Sequence, residues 1–184
     1  MDFLKFDDEY LKLFKRAGFY HFGLGVESGS NKTLRSINKQ ITTAEIYNVV
    51  DKLVKFKFEA TYNFIAGFPH ETVDDYKETL RTIHDIFEKC TYMIYPLPAP
   101  SYFCPLPGTK SFDEAVELGH KVPVTLTDWE DVDYNISNMA WISKDLHKFI
   151  IESREIINDI NKKFTGEGAI ITKSDLAPLR KIMQ

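Results

Sequence analysis

Residues 21–43, HFGLGVESGSNKTLRSINKQITT, read as a strand, a tight turn and a short helix in immediate succession. Residues 22–26 are all apolar or Gly, Glu27-Ser28-Gly29-Ser30 makes the turn, and Leu34 and Ile37 share one face of the helix after it. Small residues at Gly29 and Ser30 let the backbone reverse tightly, and the N–H groups that open the helix then face whatever lies beyond the strand end. In parallel α/β architectures ligands gather at that edge, so a polar residue there reads as a site residue. Glu27 is the first candidate.

Outward from this unit the same alternation continues. Toward the N-terminus a helix is expected over 7–17, with Tyr10, Leu11, Phe14 and Ala17 on one face and Gly18 as its left-handed stop. It leads into a strand over 19–26, whose apolar and Gly composition predicts burial on both faces and hence a parallel sheet. Downstream, Thr42 and Glu45 form a capping box that opens a helix with Ile46, Val49, Val50, Leu53 and Val54 in one stripe. A second strand spans 59–66 and ends at Gly67-Phe68-Pro69; Thr72 caps a third helix with Tyr76, Leu80, Ile83 and Phe87 on one face. A third strand is expected over 91–97. This order argues for right-handed parallel βαβ units.

Five prolines, Pro96, Pro98, Pro100, Pro105 and Pro107, make the stretch to Gly108 an irregular loop with one extended piece, and loops of such length carry function or motion more often than not. A short helix over 112–118, a loop over 129–142 and a long helix over 144–164 come next, the last carrying Leu146, Phe149, Ile150, Ile156, Ile157 and Ile160. The tail holds one short helix after Thr172 or Ser174. The expected division is 1–120 for the βα part and 121–184 for a loop and C-terminal helical extension.

Composition excludes several functions. The chain has 184 residues, 43% hydrophobic, enough for the core of one domain, and its net charge of -4 gives no general attraction to nucleic acid or an anionic membrane. No apolar run approaches the roughly 20 residues of a membrane span, and MDFLKFDDEY lacks the cationic, apolar pattern of a signal peptide, so a cytoplasmic location is expected. Cys90 and Cys104 read as free thiols, and the five histidines show no metal-ligand spacing.

Four motifs in order carry a resemblance. Gly23 to Ser30 (GLGVESGS) with Leu34, Asn38-Lys39 and Thr42, then Phe64 to Thr72 (FIAGFPHET), then Pro107-Gly108-Thr109, are similar to the second half of a radical S-adenosylmethionine domain. Residues 129–134, WEDVDY, and the long helix after them resemble the subgroup whose members carry a cobalamin-binding domain upstream. The resemblance implies half of a partial (β/α)6 TIM-like barrel, three parallel strands flanked by helices, plus the helical extension. It further implies S-adenosylmethionine and a [4Fe-4S] cluster at the carboxyl ends of the strands, and cobalamin through a missing upstream domain. Members hold the cluster with a CxxxCxxC loop, three thiolates for three irons, which this sequence does not contain. The chain is therefore expected to begin at the family's fourth strand, to need the N-terminal half of the barrel as partner, and to be inactive by itself.

Residue by residue, the resemblance places Glu27 against the cofactor's ribose or amino group with Ser28 beside it. Lys39 takes the place of an Arg facing the methionyl carboxylate, giving charge without a bidentate fork. Ile65, Ala66 and Gly67 fall at the strand end that passes the adenine, where backbone groups can read the base, and Tyr95 and Pro96 near the same ring. His70 stands where many relatives have Gly. Read without the resemblance, Glu27 caps the next helix or pairs with Lys32, Lys39 is a solvated lysine, Gly67-Phe68-Pro69 is a turn, and Trp129, Tyr102 and Phe103 are core or lid packing. The alternative function is a non-catalytic α/β binding module. In either case exposed strand edges predict a homodimer.

Overall fold

The computed structural model describes residues 7–90, 97–133, 139–163 and 171–184. Helix α1 (Asp8–Arg16) is capped by the Asp7 side chain, which accepts from the Tyr10 N–H at 2.8 Å, and Gly18 at φ 86 turns the chain into strand β1 (His21–Glu27). Helices α2 (Asn31–Ser36) and α3 (Thr43–Lys55) lead to β2 (Glu59–Ala66), and α4 (Val73–Lys89) leaves its far end. The expected capping box at Thr42 and Glu45 is present, and Thr72 with Asp75 forms a second one at α4. The sheet has the order β1-β2-β3 with both pairings parallel.

The strand β3 is Ser101–Tyr102, the extended piece of the proline-interrupted loop, which aligns with Ile65 and Ala66 at the end of β2. Between Pro100 and Pro105 this stretch has its one run of four residues with backbone N–H groups, 101–104, and the pairing falls within that run. The third strand expected over 91–97 falls, except for Leu97, outside the described residues, as do Tyr95 and Pro96.

Beyond β3 come α5 (Lys110–Glu117), a 3-10 segment (Leu126–Asp131), α6 (Lys144–Lys162) and α7 (Ala177–Ile182). Helices α6 and α7 pack on α4. Ile150, Ile157 and Leu179 join Tyr76, Leu80 and Ile83 in one core, and the buried Tyr76 hydroxyl meets Ser153 at 2.9 Å. Trp129 is 36% exposed, whereas Trp141 is buried, so the core tryptophan is the second of the pair.

Burial of the strands corrects one expectation. On β1, Phe22, Leu24 and Val26 are buried, but Gly23 is exposed and Gly25 and Glu27 are half-buried; β2 alternates likewise, with Asn63 exposed and Thr61 and Ile65 half-buried. The glycines make the sequence look apolar throughout, although they add no side chain to a second core. One face therefore holds the helices, and the other is a partly open floor.

Candidate functional site

The carboxyl end of β1 departs from regular strand geometry at Glu27. The pairing with β2 runs Gly25 to Asn63 and then Glu27 to Phe64, so β1 carries one extra residue, a bulge that re-aims the end of the strand. Glu27 has φ 66, and the Ser28 N–H reaches back to the Val26 carbonyl at 2.9 Å, closing a γ-turn over it. Such a backbone is rare for a residue with a side chain and persists only where its surroundings hold it.

Those surroundings belong to α4. The Ser28 hydroxyl is fully buried, lies 3.0 Å from Thr79 Oγ1 and accepts from the Ser30 N–H at 3.0 Å. The Gly29 N–H donates to Thr79 Oγ1 at 3.0 Å, Ser30 Oγ donates to Asp75 Oδ1 at 3.1 Å, and Lys32 pairs with Asp75 Oδ2 at 2.6 Å. A Cβ on Gly29 would lie 2.3 Å from Thr82 Oγ1 and 2.6 Å from the Glu78 carbonyl oxygen, so only glycine lets the turn sit this close to the helix. The N–H groups of Gly29 and Ser30, expected to face outward, are thus engaged inside the protein. Burial opposes the charge of Asp75, but Lys32, Thr72 and Ser30 outweigh it and hold its pKa below the usual carboxylate value.

Held this way, the Glu27 carboxylate folds back over Gly25 and accepts from Lys39 Nζ at 2.9 Å. Glu27 therefore pairs with Lys39, twelve positions on, while Lys32 takes Asp75. A Cβ at residue 25 would stand 2.6 Å from Glu27 Oε1 and 3.4 Å from Lys39 Nζ, so Gly25 clears the floor for both groups. The ion pair is accessible, with side-chain exposures of 22% for Glu27 and 26% for Lys39. Lys39 is presented by a loop in which both neighbours, Asn38 and Gln40, have φ 54. A recess of about 380 Å³ lies between this loop and the floor of Gly23 and Gly25.

At the end of β2 the arrangement is closed from behind. Gly67 has φ 87; its N–H donates to Glu71 Oε2 at 2.6 Å, and its carbonyl accepts from Trp141 Nε1 at 2.7 Å. The Ala66 carbonyl accepts from the Phe103 N–H at 2.8 Å. These backbone groups, expected to read a base, are engaged by the chain itself, and Ile65 is the member of the trio with a side chain on the open face. His70 has φ 64, a backbone conformation that favours Gly, and its ring is exposed and takes no role in this arrangement.

Sequence reasoning missed Glu71 and Trp141. Glu71 is 7% exposed and burial pushes its pKa up to about 8. Its place in the FPHET turn was visible, but its inward direction comes from the left-handed His70 before it. Trp141 reaches Gly67 across 74 residues of sequence, beyond any local signal.

The fold is that of an α/β protein whose parallel strands end, at the carboxyl edge of β1, in an accessible ion pair above a glycine floor. Residues 3–83 match the sequence model of the Radical SAM superfamily. Among similar proteins is the tRNA-2-methylthio-N(6)-dimethylallyladenosine synthase of Nitrosomonas europaea, 33% identical over 121 residues, covering 64% of this chain and 25% of the relative. A protein of the same name from Ehrlichia ruminantium (strain Gardel) is 33% identical over 101 residues, covering 54% of this chain and 21% of the relative. Another, from Petrotoga mobilis, is 36% identical over 80 residues, covering 42% and 17%. The chain spans about a quarter or less of the length of these relatives. Among the described residues no helix is long and apolar enough to cross a membrane.

Proposed function

We propose that this chain forms the ribose, amino-acid and adenine side of an S-adenosylmethionine site in a radical S-adenosylmethionine enzyme. The observation that carries it is the Glu27–Lys39 pair above Gly25 at the end of β1. A carboxylate beside an ammonium complements the zwitterionic end of the cofactor, and the same carboxylate can accept from ribose hydroxyls. Ile65 offers an apolar surface to the purine, Gly67 and Ala66 fix that surface through their internal hydrogen bonds, and Ser28 acts by holding Glu27 in its turn. In this superfamily the bound cofactor supplies a 5′-deoxyadenosyl radical once reduced.

The iron–sulfur ligands do not fit these residues. Among the described residues no group of three or more His, Cys, Asp or Glu side chains could hold a metal ion. Burial pushes the Cys90 thiol up to about 11, and burial with the Asp133 charge raises that of Cys104, so neither is a ready thiolate. We place the [4Fe-4S] ligands in sequence beyond these residues, together with the rest of the barrel. The whole protein is proposed to be a cytoplasmic oxidoreductase or group-transfer enzyme, methylthio transfer being the type that the relatives' names carry. Cobalamin rests on the resemblance of residues 129–134 alone and gains no support from those names.

Calorimetric titration of S-adenosylmethionine into the chain and into Glu27→Ala tests the site. Weak saturable binding that disappears in the variant is expected; equal binding by both removes Glu27 from the site and favours the non-catalytic module.

A further inference from the structure

The turn after β2 is held from two directions by side chains outside the strand. Glu71 Oε2 accepts the Gly67 N–H at 2.6 Å, and the Gly67 carbonyl accepts the Trp141 indole N–H at 2.7 Å. Met139 packs on the same residue, so close that a Cβ on Gly67 would run into its Sδ. The turn that brings Glu71 back to Gly67 contains two left-handed residues, Gly67 at φ 87 and His70 at φ 64. A backbone of that kind persists only while its surroundings hold it.

One of these two holds is a titratable group kept from water. Glu71 and Trp141 are both buried, and Glu71 Oε1 has no hydrogen-bond partner among the described residues. A neutral acid fits such a place, whereas a carboxylate leaves a buried charge with an acceptor unfilled. The groups packed around the turn do not reverse this. Asp75 on α4 opposes ionisation of Glu71, and Lys32 on α2, already paired with Asp75, favours it less than Asp75 opposes it. Tyr76 on α4 is kept neutral by burial with its hydroxyl on Ser153, Arg154 on α6 lies over the Tyr102 ring, and His120 behind Trp141 has its pKa depressed by burial. Opening the turn gives the Glu71 carboxyl to water, where it ionises as an ordinary carboxylic acid. The closed turn keeps a proton that the open turn releases, so rising pH favours opening.

We infer that the Gly67 turn is a proton-dependent clasp, closed while Glu71 is a neutral acid and opening more often as protons are withdrawn. It governs the end of β2 whatever ligand lies there, so it does not depend on the cofactor reading. Hydrogen exchange followed by NMR in the full chain, corrected for intrinsic base catalysis, reads the opening. Protection of the Gly67 N–H and the Trp141 indole N–H should fall about tenfold per pH unit between pH 5 and about 8, one proton being released per opening. Dilute urea should barely change it, while the amide of the buried Leu80 in α4 responds as global unfolding does. Glu71→Gln should remove the pH dependence, and Trp141→Phe should lower Gly67 protection at every pH without altering the slope. In the parent chain the carboxyl carbon resonance of Glu71 should report a protonated group at pH 6. Flat protection, a urea response at Gly67 equal to that at Leu80, an unchanged slope in Glu71→Gln, Gly67 protection unmoved by Trp141→Phe, or Glu71 ionised at pH 6 would overturn the clasp.

Discussion

At Glu71 a buried carboxyl group has one oxygen on the Gly67 N–H and the other, Oε1, without a partner among the described residues. Burial is the main cause of its raised pKa, the backbone N–H groups of Gly67 and Phe68 oppose it, and Asp75 adds to it. In the unfolded chain the group ionises near 4.5, whereas in the folded protein it holds its proton to about 8. Between those values the folded state binds a proton that the unfolded state has lost, so stability falls as pH rises through this window. Urea denaturation at pH 5 and pH 8.5 should show a loss on the order of a few kcal/mol. Glu71→Gln, which cannot ionise, should flatten that profile; an unchanged slope in the variant would assign the dependence to other groups.

Among the elements, the contact between the β1 turn and α4 decides whether Glu27 is presented at all. Nothing lies within 4 Å of a Cβ added to Gly23, while one on Gly29 meets Thr82 Oγ1 and the backbone of Glu78 and Thr79. Gly29→Ala should therefore destabilise by about 1–3 kcal/mol in urea titration, as overpacked sites do. Gly23→Ala should stay within about 0.5 kcal/mol of the parent. Equal effects at the two positions would mean that the turn does not seat on the helix as described. Asp75 serves both elements: it caps α4 through Thr72 and holds Ser30 and Lys32 of the turn. This is how the capping box of one element becomes the support of another element's site.

For the whole molecule, β1 and β3 are the outer strands of the sheet among the described residues, and pairing of two copies through a strand edge remains our proposal. Light scattering at about 0.1 mM should give twice the 21.3 kDa chain mass; a monomer at that concentration would refute the dimer. The alternation of helices and parallel strands was legible because caps and stripes are local: Asp7, Thr42 and Thr72 each mark a helix start in the sequence, and each is a cap in the fold. Glu27 and Lys39 were legible through a resemblance, but their pairing was not. It depends on a γ-turn and a bulge that no residue type at 26–28 announces, and on a glycine at 25 whose role appears only once the carboxylate folds over it. One extended piece in the proline-rich loop was legible, but not its pairing with Ile65 and Ala66, and the closure of Gly67 by Trp141 comes from 74 residues further along the chain.

Glu27 and Lys39 are proposed to act as one receptor, and a double-mutant cycle on S-adenosylhomocysteine affinity tests this most directly. Glu27→Gln and Lys39→Met should each weaken calorimetric binding about tenfold, and the double variant should be no weaker than either single change by more than about threefold, since each loss already breaks the pair. Independent, additive losses of about a hundredfold in the double variant, or binding unchanged in either single variant, would contradict a shared receptor.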